Sequence, residues 1–140
     1  MIEALKERIR TLVPAIKAVG GAPDFQSAAE SNPKVCPACF VFIADERPEP
    51  NKLGDIIVQN VHVTVSVVFV VKNLTDALGV AAGVDLDLLR KAVKAQVYGW
   101  QPAPEFDPFE RGACHLLAFK DGHLWWLEQY LTSYYDRSVL

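Results

Sequence analysis

Asp55-Ile-Ile-Val-Gln-Asn-Val-His-Val-Thr-Val-Ser-Val-Val-Phe-Val-Val-Lys72 is the stretch on which the fold turns. Ile57, Val61, Val63, Val65, Val67, Phe69 and Val71 fall on one side of an extended chain, and Asn60, His62, Thr64 and Ser66 on the other. This period-two pattern predicts a strand with one buried face. Towards its end Val68 and Val70 make the second face apolar as well, so both faces need cover there. Fully extended, the stretch would reach roughly 55 Å at about 3.3 Å per residue. A compact domain of this length is only about 35–40 Å across. The strand must therefore bend, break or project beyond its own domain.

Outward from this strand, amphipathic helices are expected on both sides in sequence. Ile2, Leu5, Ile9, Leu12 and Val13 recur at three- and four-residue steps and predict a helix over Ile2 to Val13. Glu3 with Lys6 and Glu7 with Arg10 are spaced to pair on its outer face. Pro14 disfavours helical geometry at Val13 and ends it. A short strand from Ala15 to Val19 would close at Gly20-Gly21, and a brief helix from Phe25 to Glu30, capped by Asp24, would end at Ser31-Asn32-Pro33. Cys39 to Ala44 is apolar almost throughout and reads as a buried strand, followed by a proline-containing loop from Arg47 to Gly54. After the long strand, Asn73 and Thr75 are suited to cap the segment beyond them. A second long helix is expected from Val84 to Tyr98, with Val84, Leu88, Leu89, Ala92, Val93 and Val97 as its stripe. Gly99 is its stop.

The last third reads as a loop, Trp100 to Gly112, and a hairpin. Asp121-Gly122 between the apolar runs Ala113 to Lys120 and His123 to Tyr135 is a strong hairpin signal. The order of helix, strand, helix, two strands, helix and hairpin lacks the regular alternation of a parallel sheet. The expectation is a single α+β domain over residues 1–140, with a mainly antiparallel sheet, helices packed on one face, and a long projecting strand or hairpin.

Composition narrows the function classes. The 140 residues suit one domain. A 51% hydrophobic share is slightly high for a solitary soluble domain and fits a chain that buries surface against copies of itself. A net charge of −3, without a basic stripe, argues against stable nucleic-acid binding. The longest apolar run, Val67 to Val71, is far too short for a membrane span, and the charged Met1 to Arg10 is not patterned as a signal peptide. Three cysteines do not make a disulfide framework, which points to a reducing cytoplasm.

Chemistry-bearing constellations are sparse. Cys36-Pro-Ala-Cys39 has the spacing of a thiol pair or half a zinc site, and Cys114-His115 is the available other half. Against this, the second cysteine runs into a strand, away from the helix start that lowers thiol pKa in redox pairs. His62, His115 and His123 all sit on expected strands; Asp107 and Glu110 are neighbours in a loop. Nucleophile-elbow, phosphate-loop and zinc-protease motifs are absent from the sequence. The aromatics Trp125, Trp126, Tyr130, Tyr134 and Tyr135 have few cations interleaved, which favours packing over base stacking. No cofactor, metal site or catalytic residue is expected.

The chain resembles the tail terminator-like family of Mu-like and related long-tailed phages and prophages. The resemblance is carried by Leu12-Val-Pro-Ala-Ile-Lys-Ala-Val-Gly-Gly21, the strand at Cys39 to Ala44, Val70-Val-Lys-Asn73, Tyr98-Gly-Trp-Gln-Pro102 and Asp121-Gly-His-Leu-Trp-Trp126, in that order. It implies a small α+β structural protein, not an enzyme, that forms a hexameric ring at the head-proximal end of the tail tube. The implied partners are further copies, the tube protein and the head-tail connector; the implied location is the virion tail, after assembly in the host cytoplasm. Leu53, Ile56, Ile57, Val58, Asn60 and His62 are the expected subunit interface, because the strand is too long for its own domain and its first half mixes apolar residues onto both faces. Alternatives are another neck or head-completion protein, or a zinc- or thiol-active protein built on Cys36, Cys39, Cys114 and His115.

Overall fold

The computed structural model describes residues 1–72 and 80–139. Its elements keep the expected order: α1 (Ile2–Leu12), β1 (Ala18–Gly20), α2 (Ala22–Ser31), β2 (Ala38–Pro48), β3 (Val58–Lys72), α3 (Val80–Val97), β4 (Glu110–Lys120) and β5 (His123–Arg137). The strands form one sheet in the order β1-β2-β3-β5-β4. Among the described residues only the β1–β2 pair is parallel. The chain is thus a single α+β unit with a mainly antiparallel sheet.

The central strand is the one that the alternating pattern marks. β3 is bonded to β2 on one side and to β5 on the other, and its register with β5 is unbroken from Val58–Arg137 to Lys72–His123. One face carries Val61, Val63, Val65, Val67, Phe69 and Val71, which pack with Cys39 and Val41 of β2, Leu5 and Ile9 of α1, and Leu89, Val93 and Val97 of α3. Each of these apolar side chains contributes about 1.5–3 kcal/mol on full burial. On the opposite face Val68 and Val70 pack with Phe40, Trp125 and Ala28 of α2. Phe25 of α2 lies 4.9 Å from Phe42 and 6.2 Å from Trp125, ring centre to ring centre. The two long helices therefore share one face, as expected, while the short α2 covers part of the other. The apolar Val68 and Val70 are what that second cover answers.

Several boundaries differ from the sequence reading for identifiable reasons. β1 is shorter than Ala15 to Val19, since its ladder to β2 spans only Ala18 to Gly20. Helix α2 starts earlier: Gly21 is its N-cap, and the Asp24 carboxylate accepts a 2.9 Å bond from the Gly21 N–H instead of capping from its own position. β2 runs on to Pro48, because a bulge between Ile43 and Asp45 lets its charged end keep pairing with β3. α3 begins at Val80, which puts Asp85 and Asp87 beyond its first turn. Its buried stripe is Leu86, Leu89, Val93 and Val97; Leu88, expected inside, is 62% exposed. The expected caps Asn73 and Thr75, and the side chain of Val84, lie outside the described residues. The Asp121-Gly122 turn has positive φ at both residues, 51° and 71°, as the tight hairpin requires.

A buried ion pair ties α3 to the sheet. The Glu128 side chain on β5 is 2% exposed and accepts from Arg90 Nε at 2.5 Å. Arg111 stands 3.9 Å away, and the Tyr130 hydroxyl donates to the same carboxylate at 3.4 Å. The Arg90 guanidinium also lies 4.5 Å over the Trp126 ring. Removing one partner of such a pair leaves an uncompensated buried charge. Arg90→Ala should cost about 3 kcal/mol, the low end of that range because Arg111 partly compensates. Adding Glu128→Gln to Arg90→Ala should recover part of the loss. Urea unfolding of the single and double variants measures both, and a loss under about 1 kcal/mol in Arg90→Ala would show that the pair does not hold α3.

Candidate assembly interface

The expected interface residues gather at one end of the β2-β3-β5 ladder. Here the connection from β2 to β3 is held by side chains. The Asn51 Oδ1 accepts from the Leu53 and Val58 N–H groups at 3.3 and 3.0 Å, and Gln59 donates to the Glu49 carbonyl at 2.9 Å. On the far side Ile57 N–H donates to Ser138 Oγ at 3.0 Å, and Ser138 N–H returns a 2.8 Å bond to the Ile57 carbonyl. These bonds satisfy the local backbone and leave the apolar side chains for something else. Leu53 and Ile57 are about half exposed, and Ile56 and Val58 half-buried. Beside them Tyr135 is 65% exposed and Val139 96%. Val58 is paired on β3 with β5, and its N–H is taken by the Asn51 side chain, which leaves its own side chain as the group to offer.

Asn60 and His62 belong to the polar face of the same ladder. His62 Nε2 meets Glu49 Oε1 at 2.8 Å, and this bond holds the Glu49 carboxyl below its usual range. The Asn60 side-chain oxygen is buried without a hydrogen-bond partner among the described residues. Both line a cleft of about 440 Å³ together with Arg47, Asp107 and Ser133. His62 and Ser133 are register partners across β3 and β5. Yet Ser133 Oγ donates to the Asp107 carboxylate at 2.6 Å, and His62 faces Glu49. The serine proton is thus turned away from the imidazole, which is the reverse of a nucleophile–base pair.

The cysteine constellation is not brought together. Cys39 is fully buried in the α1/α3-side core, while Cys36 packs with the α2-side cluster. Burial pushes both thiols up, away from the reactive thiolate. Cys114 lies on β4, three strand spacings from β2, roughly 14 Å at about 4.8 Å each. His115 is exposed on the other face of β4 from Cys114. Among the described residues no cluster of His, Cys, Asp or Glu has metal-holding geometry.

One exposed apolar group escapes the sequence reading altogether. Leu116, Leu117 and Phe119 of β4 are each about half exposed, on the strand that ends the sheet. The available signal is the run His115-Leu-Leu-Ala-Phe119, which lacks the polar alternation of a half-buried strand.

Among known proteins, the family model described as "Phage tail terminator protein" matches residues 1–138. No curated protein matches the chain. With respect to the thiols, Cys36→Ser combined with Cys39→Ala should leave the fold intact at a cost of about 1–2 kcal/mol. Urea unfolding and elemental analysis of the wild type check this; stoichiometric zinc, or unfolding by a chelator, would contradict it.

Proposed function

The chain belongs to the phage tail terminator family and is a structural protein of a phage tail, and on that premise we propose that it closes the head-proximal end of the tail tube as a ring. The ring ends tube polymerisation and forms the tail side of the head-tail junction. Its partners are further copies of itself, the tube protein on one face and the connector on the other. Six copies are expected from the family resemblance.

The observation that carries this reading is the apolar end of the β2-β3-β5 ladder. Leu53 and Ile57 stand exposed there on a connection that is already hydrogen-bonded within the subunit, beside the exposed Tyr135 of β5 and Val139 that follows it. Exposed apolar residues grouped at one site mark a surface made for contact. Leu53, Ile56, Ile57, Val58, Asn60 and His62 are proposed to meet the neighbouring subunit. Such a head-to-tail contact between unlike surfaces closes into a ring when the rotation per subunit divides the circle. The net charge of −3 suits a channel that passes DNA without holding it, since phosphate affinity comes largely from Lys and Arg.

The direct test is polymerisation of the purified tail tube protein with this chain added well below stoichiometry. Tubes should become shorter, each with a ring at one end in electron micrographs. Leu53→Lys with Ile57→Lys, at two side chains already half exposed, should keep the subunit folded and abolish the shortening. Tube lengths unaffected by the wild-type protein would overturn the terminator reading. Unaltered shortening by the double variant would remove these residues from the contact.

A further inference from the structure

The two ends of the sheet are unlike and complementary. On one side β1 covers β2 only from Ala38 to Phe40, so the outer edge of β2 from Ile43 to Pro48 is open and its residues are exposed. On the other side, among the described residues, β4 pairs only with β5 and has no strand on its outer edge. Unpaired edges of this kind are templates for another strand, and apolar residues on them raise the hazard unless something covers them. Leu116, Leu117 and Phe119 are such residues on β4, and Ile43 is one on β2.

We propose that β4 of one copy adds to the open edge of β2 of the next, so that the sheet runs on across the subunit boundary. The inference rests on the ring reading and specifies one of its contacts. Strand direction supports it. β2, β3, β5 and β4 alternate in direction, so a sheet continued into the next copy sets β4 antiparallel to β2. Facing supports it as well. Ile43 lies on the same sheet face as Val65, and Leu116 on the same face as Trp126 and Phe69. A register with Ile43 opposite Leu116 keeps both on the α1/α3 side. After the β2 bulge, Asp45 then falls opposite His115, and Glu46 opposite Cys114, whose sulfur lies 3.3 Å from the Arg111 guanidinium. Acidic side chains of β2 thus meet the imidazole and guanidinium of β4, a favourable cross-strand pairing. Phe119 comes to lie beside the end of β1, where β2 ceases to be covered. The same addition in every copy is head-to-tail, and closes with the ring.

A cysteine cross-link tests the register. Ile43 and Leu116 sit on β2 and β4 of one subunit, separated by three strand spacings of about 4.8 Å, at least roughly 14 Å, and offset along the strands as well, too far for a disulfide within a chain. Opposed residues of an antiparallel pair are within disulfide reach. Ile43→Cys with Leu116→Cys, in a background of Cys36→Ser, Cys39→Ala and Cys114→Ser, should give covalent multimers up to the full ring under mild oxidation. The cross-linked fraction should exceed that of either single variant about tenfold, as read on non-reducing gels beside the native mass. A ring of native mass without cross-links would overturn the edge pairing and leave the ring reading standing. A protein that forms no ring would overturn both. A second arm avoids the cysteines: Leu116→Lys with Phe119→Lys should leave the circular dichroism of the monomer unchanged and abolish the ring, and normal assembly of that variant would overturn the pairing.

Discussion

The backbone of β3 is hydrogen-bonded on both sides along the strand, and every other element takes its place from that. A strand of 15 residues with neighbours on either side cannot shift register by one without turning its valines from core to solvent. β2 and β5 are consequently aligned to it, and β4 to β5. The helices then track the apolar side chains: α1 and α3 over the face of Val61 to Val71, α2 over Val68 and Val70. Where the helical cover ends, the ladder continues, and that continuation is the surface we propose for partners.

Among the described residues one carboxylate is buried inside this frame. Glu128 is buried in the sheet and answered by Arg90 from α3, with Arg111 and Tyr130 nearby. Desolvating a carboxylate costs several kcal/mol unless it is paired and hydrogen-bonded, so the joint fixes how α3 lies more than it adds net stability. In the proposed ring, whose contacts lie on the strands beneath, a fixed helix would help the twisted sheet repeat one angle from copy to copy.

Element order, the antiparallel class, the tight hairpin at Asp121-Gly122 and the central strand were all legible in the sequence, because each depends on local periodicity or turn chemistry. The misread details depend on neighbours. Leu88 fits a helical stripe as well as Leu86 does, and only the angle at which α3 meets the sheet puts one out and the other in. The charged end of β2 carries no apolar alternation; it is a strand because β3 lies beside it. Residues Leu53 to Val58 could be singled out as unusual from the excess length of their segment, yet Leu53 to Ile57 belong to the connection before β3 and only Val58 opens the strand, so what they expose is side chains. The open edges of β2 and β4 are properties of strand order, which no local pattern encodes. The family resemblance pointed to a tail protein before any of this geometry, and the match over residues 1–138 agrees with it.

Fold and family membership jointly describe a subunit that works by position, with apolar side chains held out at one end of a rigid ladder and two open, antiparallel-compatible edges. The central claim is that these surfaces are completed only by further copies. Native mass spectrometry of the wild-type protein over a wide range of concentrations tests it most directly. The account predicts one closed species at a fixed multiple of the 15.5 kDa subunit, six being the expected number, with no larger open-ended series. A mass that stays at a single subunit at every concentration, or an unbounded ladder of multiples, would contradict it.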